Sequence, residues 1–160
     1  MKGILVEVKR EMERKIIQLS NGVKIPIIGF GTYKLQNEND EACNIVKEAI
    51  NAGYRSIDTA SFYNNEEGVG KGIRESGLPR EELFVTTKVW VNDEGYENTT
   101  KAFNKSLEKL GLDYIDLYLV HWPTENIKET WRAIENLYRE KKVRAIGVCN
   151  CTVKQLEEII

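Results

Sequence analysis

Short apolar runs alternate along the chain with stretches whose apolar residues recur every three or four positions, and that alternation predicts the elements. Ile16-Ile17-Gln18-Leu19 and Val23-Lys24-Ile25 flank Ser20-Asn21-Gly22. Asn-Gly between two such runs predicts a β-hairpin, because both residues tolerate the positive φ of a type I′ turn. Ile27 to Thr32 then reads as a buried strand that ends in a glycine-opened loop. Ala42, Ile45, Val46, Ala49 and Ile50 keep helical spacing, and Gly53 closes that helix. A short strand runs to Asp58, and a helix over residues 66–76 follows, weakened by Gly68, Gly70 and Gly72. After a turn at Pro79, Phe84 to Lys88 forms a strand. Ala102, Phe103, Ser106, Leu107 and Leu110 make a helix that Gly111 stops. The strand from Tyr114 to His121 is the most strand-like stretch in the chain and ends against Trp122-Pro123. A helix carrying Trp131, Ile134, Leu137 and Tyr138 follows, with Trp131 assigned to the core. Val143 to Val148 is the last strand, and Thr152 is placed to cap a final helix from Val153.

Strands separated by helices of 10–15 residues imply parallel βαβ units. Two architectures use them, a doubly wound sheet and a (β/α)₈ barrel. A doubly wound dinucleotide fold carries G-x-G-x-x-G after its first strand. Here Gly29-Phe30-Gly31-Thr32-Tyr33-Lys34 lacks the third glycine and lies far from a helix start. Chemically capable residues follow several successive strands instead, as on a barrel's upper face. The fold expected is therefore α/β, a TIM barrel with an N-terminal hairpin. Residues 1–14 are charged and mixed and are expected to form a mobile arm, with Met12 as an alternative start. Residues 15–160 are expected to be barrel.

Composition narrows the function classes. The chain has 160 residues, 41% hydrophobic and 30% charged, with a net charge of −2. That describes an ordinary globular protein with a real core. The charge argues against nucleic acid or an anionic membrane surface as partner. No apolar stretch approaches the roughly 20 residues that span a bilayer. The opening residues hold too short an apolar run for a secretory signal, so the cytoplasm is expected. Cys43, Cys149 and Cys151 form no disulfide framework and fit a reducing compartment. Cys149 and Cys151 have the only histidine, His121, on a different segment, so no metal site is expected.

Three strands each deliver one ionisable residue at an equivalent point: Asp58, Lys88 and His121. Tyr63 follows the first of them closely. Each has a plain structural explanation taken alone. Asp58 and Lys88 could be an ion pair that only holds the fold, Tyr63 could pack a loop, and Trp90 and Trp122 could be core aromatics. Their joint placement argues instead for a proton-transfer site on one face of the sheet.

Gly53-Tyr54-Arg55-Ser56-Ile57-Asp58-Thr59-Ala60, followed by Tyr63-Asn64-Asn65-Glu66, closely resembles the signature segment of the aldo-keto reductases. Thr86-Thr87-Lys88-Val89-Trp90, Asp116 to Pro123, and Ile146-Gly147-Val148-Cys149-Asn150 resemble further blocks of that family, in order. The likeness runs from about Lys15 to the end and is of the bacterial 2,5-diketo-gluconate and methylglyoxal reductase type. It implies reduction of aldehydes and ketones to alcohols with NADP(H), NAD(H) being left open by the residues present. It also implies a tetrad of Asp58, Tyr63, Lys88 and His121. A phenol is a reluctant acid at neutral pH, and a nearby ammonium stabilises the phenolate it leaves behind. Tyr63 would protonate the carbonyl oxygen, Asp58 would hold Lys88, and a neutral His121 would orient the carbonyl. The resemblance further implies a substrate pocket of Tyr33, Trp90, Trp122 and His121. Cofactor contacts would come from Thr32, Asp58, Cys149 and Asn150. Cys149 stands where the family has serine, and a thiol is the weaker hydrogen-bonding group, so looser nicotinamide anchoring is expected.

A complete barrel of this kind takes about 250 residues, and the elements here reach only the helix after the fifth barrel strand. The expectation is a barrel truncated after about five βα units, with part of the cofactor site missing and activity impaired. The alternative is a non-catalytic half-barrel that binds a partner or itself through unpaired sheet edges.

Overall fold

The computed structural model describes residues 15–37 and 40–159, and the arm expected over residues 1–14 lies outside the described residues. Strands β1 (Ile16–Gln18) and β2 (Lys24–Pro26) form the hairpin, with Ile17 opposite Ile25. Its turn differs from the type expected. Gly22 has positive φ but Asn21 does not, and the Gly22 N–H returns to the Leu19 carbonyl. The result is a three-residue loop with glycine in the left-handed position. Asn21 is freed for another task. Its side chain donates to the Arg144 carbonyl at 2.9 Å and so pins the hairpin to the start of the last strand.

The strand expected over residues 27–32 shrinks to β3 (Phe30–Gly31). Ile27 donates its N–H to the Lys15 carbonyl and thereby extends the hairpin. Ile27 and Ile28 are 52% and 42% exposed, so apolar content alone did not make this stretch a buried strand.

The remaining elements alternate as predicted. They are α1 (Glu41–Ala52), β4 (Ser56–Asp58), α2 (Glu66–Glu75), β5 (Phe84–Val89) and α3 (Tyr96–Leu110), then β6 (Ile115–Val120), α4 (Ile127–Arg139), β7 (Val143–Val148) and α5 (Val153–Glu157). The large sheet runs β3-β4-β5-β6-β7, and every neighbouring pair is parallel. Sequential order without a reversal excludes the doubly wound alternative, which changes direction at a switch point. The helices pack α1 on α2, α2 on α3 and α3 on α4, side by side in a row. These are five of a (β/α)₈ barrel's βα units. Thr152 caps α5 reciprocally with Gln155, as its position predicted.

Strand periodicity gives the two sheet faces different jobs. Ile57, Val85, Val89, Tyr118 and Val120 are fully buried toward the helices, where they meet Val46, Val69, Phe103 and Ile134. Phe103 meets Tyr118 edge to face, 5.1 Å between centroids. Trp131 is partly buried against this core, in line with its assignment. Asp58, Thr86, Lys88 and Leu119 lie on the opposite face by the same alternation and register.

The glycines of α2 serve packing rather than weakness. A Cβ on Gly70 would collide with the backbone carbonyl of Leu110, and one on Gly72 would come within 2.6 Å of the Cys43 carbonyl oxygen. Bare backbone lets α2 sit tightly between α1 and α3. Gly70→Ala should therefore destabilise the chain by about 1–3 kcal/mol through overpacking, despite alanine's better helix propensity. At Gly31, by contrast, an added Cβ meets nothing within 4 Å. Urea denaturation should show a lower midpoint for Gly70→Ala and little change for Gly31→Ala.

Candidate active site

Parallel pairing aligns Asp58 with Thr86 and Lys88 with Leu119, which brings the ends of β4, β5 and β6 together. Lys88 is only 5% exposed. Its ammonium donates to Asp58 Oδ1 at 2.6 Å and to the Thr59 carbonyl at 2.8 Å. It also lies 5.2 Å from the centroid of the Tyr63 ring. Tyr63 comes from a single 3₁₀ turn, Ser61–Tyr63, which the Ser61 hydroxyl ties to the Lys88 carbonyl at 3.0 Å.

His121 follows β6 and closes the other side. Its N–H donates to the Val89 carbonyl, and its ring stands nearly perpendicular to Tyr63 with centroids 5.6 Å apart. Burial pushes the imidazole's pKa below its ordinary value, and the Lys88 cation pushes the same way, against a smaller opposing pull from Asp58. The ring is therefore neutral at pH 7. Among the described residues its buried Nδ1 has no hydrogen-bond partner.

Aromatic rings wall a cavity of about 260 Å³ over this centre, lined by Tyr33, Phe62, Tyr63, Trp90, His121 and Trp122, with Asn150. Tyr33 packs on Tyr63 at 5.0 Å, and Trp90 meets His121 edge on at 5.2 Å. Tyr33 and Trp122 are 58% and 50% exposed, which places them at the mouth. The tetrad and the pocket residues expected from the sequence are thus in one place.

The expected cofactor contacts fall around the same centre with different exposures. Asn150 adopts positive φ and donates its side-chain amide to the His121 carbonyl at 2.8 Å. The Cys149 N–H donates to the Val120 carbonyl. Burial raises the Cys149 thiol's pKa, with Lys88 opposing, so the sulfur stays protonated. Thr32 is fully buried, and its hydroxyl has no partner among the described residues. Its N–H goes to the Asp58 carbonyl.

Two residues escaped the sequence reading. Phe62 stacks on Trp90 at 3.9 Å between centroids and lines the cavity; its place beside Tyr63 was the available signal. Asn65 is fully buried. Its amide donates to the Thr32 and Leu35 carbonyls, and its Oδ1 accepts from the Thr59 hydroxyl. It ties the loop that carries Tyr33 to the segment that receives Lys88, and nothing local in the sequence distinguishes it from a turn asparagine.

The strand ends of the barrel sheet thus gather a buried lysine, its carboxylate, a tyrosine and a neutral histidine beneath an aromatic pocket. The model of the Aldo/keto reductase family matches residues 27–159, and the chain belongs to that family. It is 59% identical over 145 residues to the glyoxal reductase of Bacillus subtilis, covering 90% of this chain and 52% of that protein. It is 43% identical over 148 residues to the methylglyoxal reductase of Escherichia coli, covering 91% of this chain and 52% of that protein. Among solved structures, an aldo/keto reductase from Brucella melitensis superposes with a TM-score of 0.87 at 51% identity, covering 91% of this chain and 57% of that one. A Bombyx mori aldo-keto reductase in complex with NADP superposes with a TM-score of 0.84 at 41% identity, covering 90% and 53%. The chain spans about half the length of the relatives it matches.

The electrostatics of His121 can be read directly. Its ring-proton resonances should titrate below the ordinary pKa of about 6.5. In Lys88→Met the titration should move upward, because one of the two depressing influences is gone. The folded chain binds fewer protons at this site than the unfolded one, so its contribution to stability weakens as pH falls below about 6.5. An NMR pH titration of both proteins checks the midpoint and the direction.

Proposed function

We propose that these residues form the proton-transfer half of an NADP(H)-dependent reductase that converts small aldehydes and ketones to alcohols. The observation that carries this reading is the position of Tyr63, its ring 5.2 Å from the Lys88 ammonium and 5.6 Å from the His121 ring, on the wall of an aromatic cavity. The donor set fits a nicotinamide. The buried hydroxyl of Thr32 and His121 Nδ1 lack partners, and Cys149, Asn150 and Asp58 gather at the same strand ends. NADPH, when bound, supplies the hydride to the carbonyl carbon.

The chain's own residues manage the proton. A substrate oxygen near Tyr63 and His121 accepts a hydrogen bond from the neutral imidazole, which orients the carbonyl. The Tyr63 hydroxyl gives its proton to that oxygen as the alcohol forms, and the phenolate left behind faces the Lys88 cation. Asp58 and the Thr59 carbonyl keep that cation in place. Water returns the proton to Tyr63 after the alcohol leaves. Geometry of this kind acts only when the reacting atoms are held within narrow tolerance, so full turnover depends on the cofactor being held as firmly as the tetrad.

A cavity of about 260 Å³ walled by Tyr33, Phe62, Trp90 and Trp122 favours small, moderately apolar carbonyls. Short aldehydes and ketoaldehydes fit that volume, in keeping with the names of the glyoxal and methylglyoxal reductases it resembles. Among the described residues no helix is long and apolar enough to cross a membrane, and Cys43, Cys149 and Cys151 are free thiols. Both facts suit work in the reducing cytoplasm.

A second reading rests on the sheet edges. Among the described residues β3 and β7 each have a strand neighbour on one side only, and unpaired strand edges are sites of association. In that reading the chain is a non-catalytic half-barrel that pairs with itself or a partner, and it runs as a stable oligomer with no turnover.

The test is NADPH consumption with methylglyoxal. Tyr63→Phe should reduce the rate by about 10²–10⁴-fold, the usual share of a general acid, while its far-UV spectrum stays unchanged. Undiminished reduction by that variant would remove Tyr63 from the mechanism. Absence of turnover in the unaltered chain, together with an oligomeric mass by light scattering, would favour the second reading.

A further inference from the structure

A second and larger cavity, about 540 Å³, lies outside the substrate pocket between the β4–α2 loop, the β5–α3 loop and one flank of α3. Its volume is in the range of small-molecule sites. One wall is a row of lysines, Lys101, Lys105 and Lys109. At four-residue spacing they stand one above another, about 6 Å apart along the helix. Lys101 has Glu97 at 3.9 Å. Among the described residues, Lys105 and Lys109 have no carboxylate within ion-pair distance.

Other groups on the walls narrow the chemistry. Glu66 lies on the floor, 2% exposed, with both carboxyl oxygens occupied by the Thr87 and Ser106 hydroxyls. Burial raises its pKa, while the Thr87 and Ser106 hydrogen bonds and, more weakly, Lys109 and Lys105 pull the other way, which puts both ammoniums within electrostatic reach of the floor. Asp93 also lines the cavity, and Glu67 and Glu108 border the same two lysines in an adjoining space. These carboxylates confine the positive region to the stretch around Lys105 and Lys109. Toward the barrel mouth the lining changes to the amides of Asn64, Asn92 and Asn98 and to the rings of Phe62 and Trp90.

We propose that this cleft is a ligand site for a phosphorylated sugar, with the phosphate between Lys105 and Lys109 and the sugar among the three asparagines and the Phe62–Trp90 pair. Two ammoniums without partners suit a dianionic phosphate as point charges. Asparagine amides both donate and accept, which matches hydroxyl groups, and aromatic surface covers the apolar face of a sugar ring. The stacked Phe62 and Trp90 rings also line the substrate pocket, so they form a wall common to both cavities. A ligand in the cleft therefore touches the groups that shape the catalytic pocket, and any effect on one site must be returned by the other.

The test needs neither cofactor nor turnover, so its outcome is independent of the reductase reading. The 160-residue chain is titrated with glucose 6-phosphate, inorganic phosphate and glucose while its amide and indole resonances are followed by NMR. Glucose 6-phosphate should give saturable shifts at the Trp90 indole, the Asn98 side chain and the Lys105 and Lys109 amides. Inorganic phosphate should bind more weakly, and glucose should leave these signals unmoved. Lys105→Gln/Lys109→Gln should weaken glucose 6-phosphate at least about ten-fold with spectral dispersion retained, and Asn98→Leu should weaken it without altering affinity for inorganic phosphate. The proposal is overturned if no saturation appears by about 10 mM, a decade above a millimolar Kd. It is equally overturned if the double variant binds undiminished, or if inorganic phosphate binds as tightly as the sugar phosphate.

Discussion

A lysine ammonium almost wholly buried at the end of a parallel sheet must be held by acceptors, because an unpaired buried charge is far costlier than a paired one. Lys88 meets that requirement with Asp58 and the Thr59 carbonyl. Much else follows from it. β4 must end where its carboxylate can reach β5, and the chain after Asp58 must turn so that a carbonyl faces the amine. That turn carries Ser61, Phe62 and Tyr63, and Ser61 is tied back to the carbonyl of Lys88 itself. The ion pair thus sets the position of Tyr63, and the same cation helps keep His121 neutral.

The barrel scaffold makes this arrangement repeatable. Parallel pairing places successive strand ends at one level, and alternation sends Ile57, Val85, Val89 and Tyr118 into the helix layer while Asp58 and Lys88 face the other way. The helix layer is rigid because α2 is fitted between α1 and α3 through glycines that leave no room for a side chain. Asn65 then joins this frame to the loop that bears Tyr33, so the mouth of the pocket and the segment that receives Lys88 share a buried hydrogen-bond hub.

Most of this was legible in the chain itself, for a specific reason. An apolar run that stops at Asp58, Lys88 or His121 records both strand direction and strand end in the same few residues. What escaped has no local signature. Phe62 is an aromatic beside a tyrosine until its stack on Trp90 is seen, and Asn65 is a loop asparagine until its three partners are counted. Two local readings also went astray. Asn21-Gly22 promised a two-residue turn, but Asn21 is used to hold Arg144. Ile27 and Ile28 promised a buried strand, yet both are exposed and the Ile27 N–H serves the hairpin. In both cases a long-range contact outweighed a short-range preference.

The two ends of the sheet show what separates a structural charge from a chemical one. Near the start of β6, Asp116 is fully buried, and its carboxylate is saturated by Arg80 and Arg144 at 2.6 Å each and by the Val85 N–H. Nothing remains for a ligand, and the cluster clamps β5, β6 and β7 together. At the far end another aspartate and its neighbours are left incomplete. Asp58 is 39% exposed beside its lysine, His121 Nδ1 and the Thr32 hydroxyl have no partner among the described residues, and the Tyr63 ring borders open space. Buried polar groups left without partners cost free energy in the folded chain. The Asp116 carboxylate escapes that cost within the chain, whereas at the far end His121 Nδ1 bears it on the wall of a cavity that a bound molecule can fill.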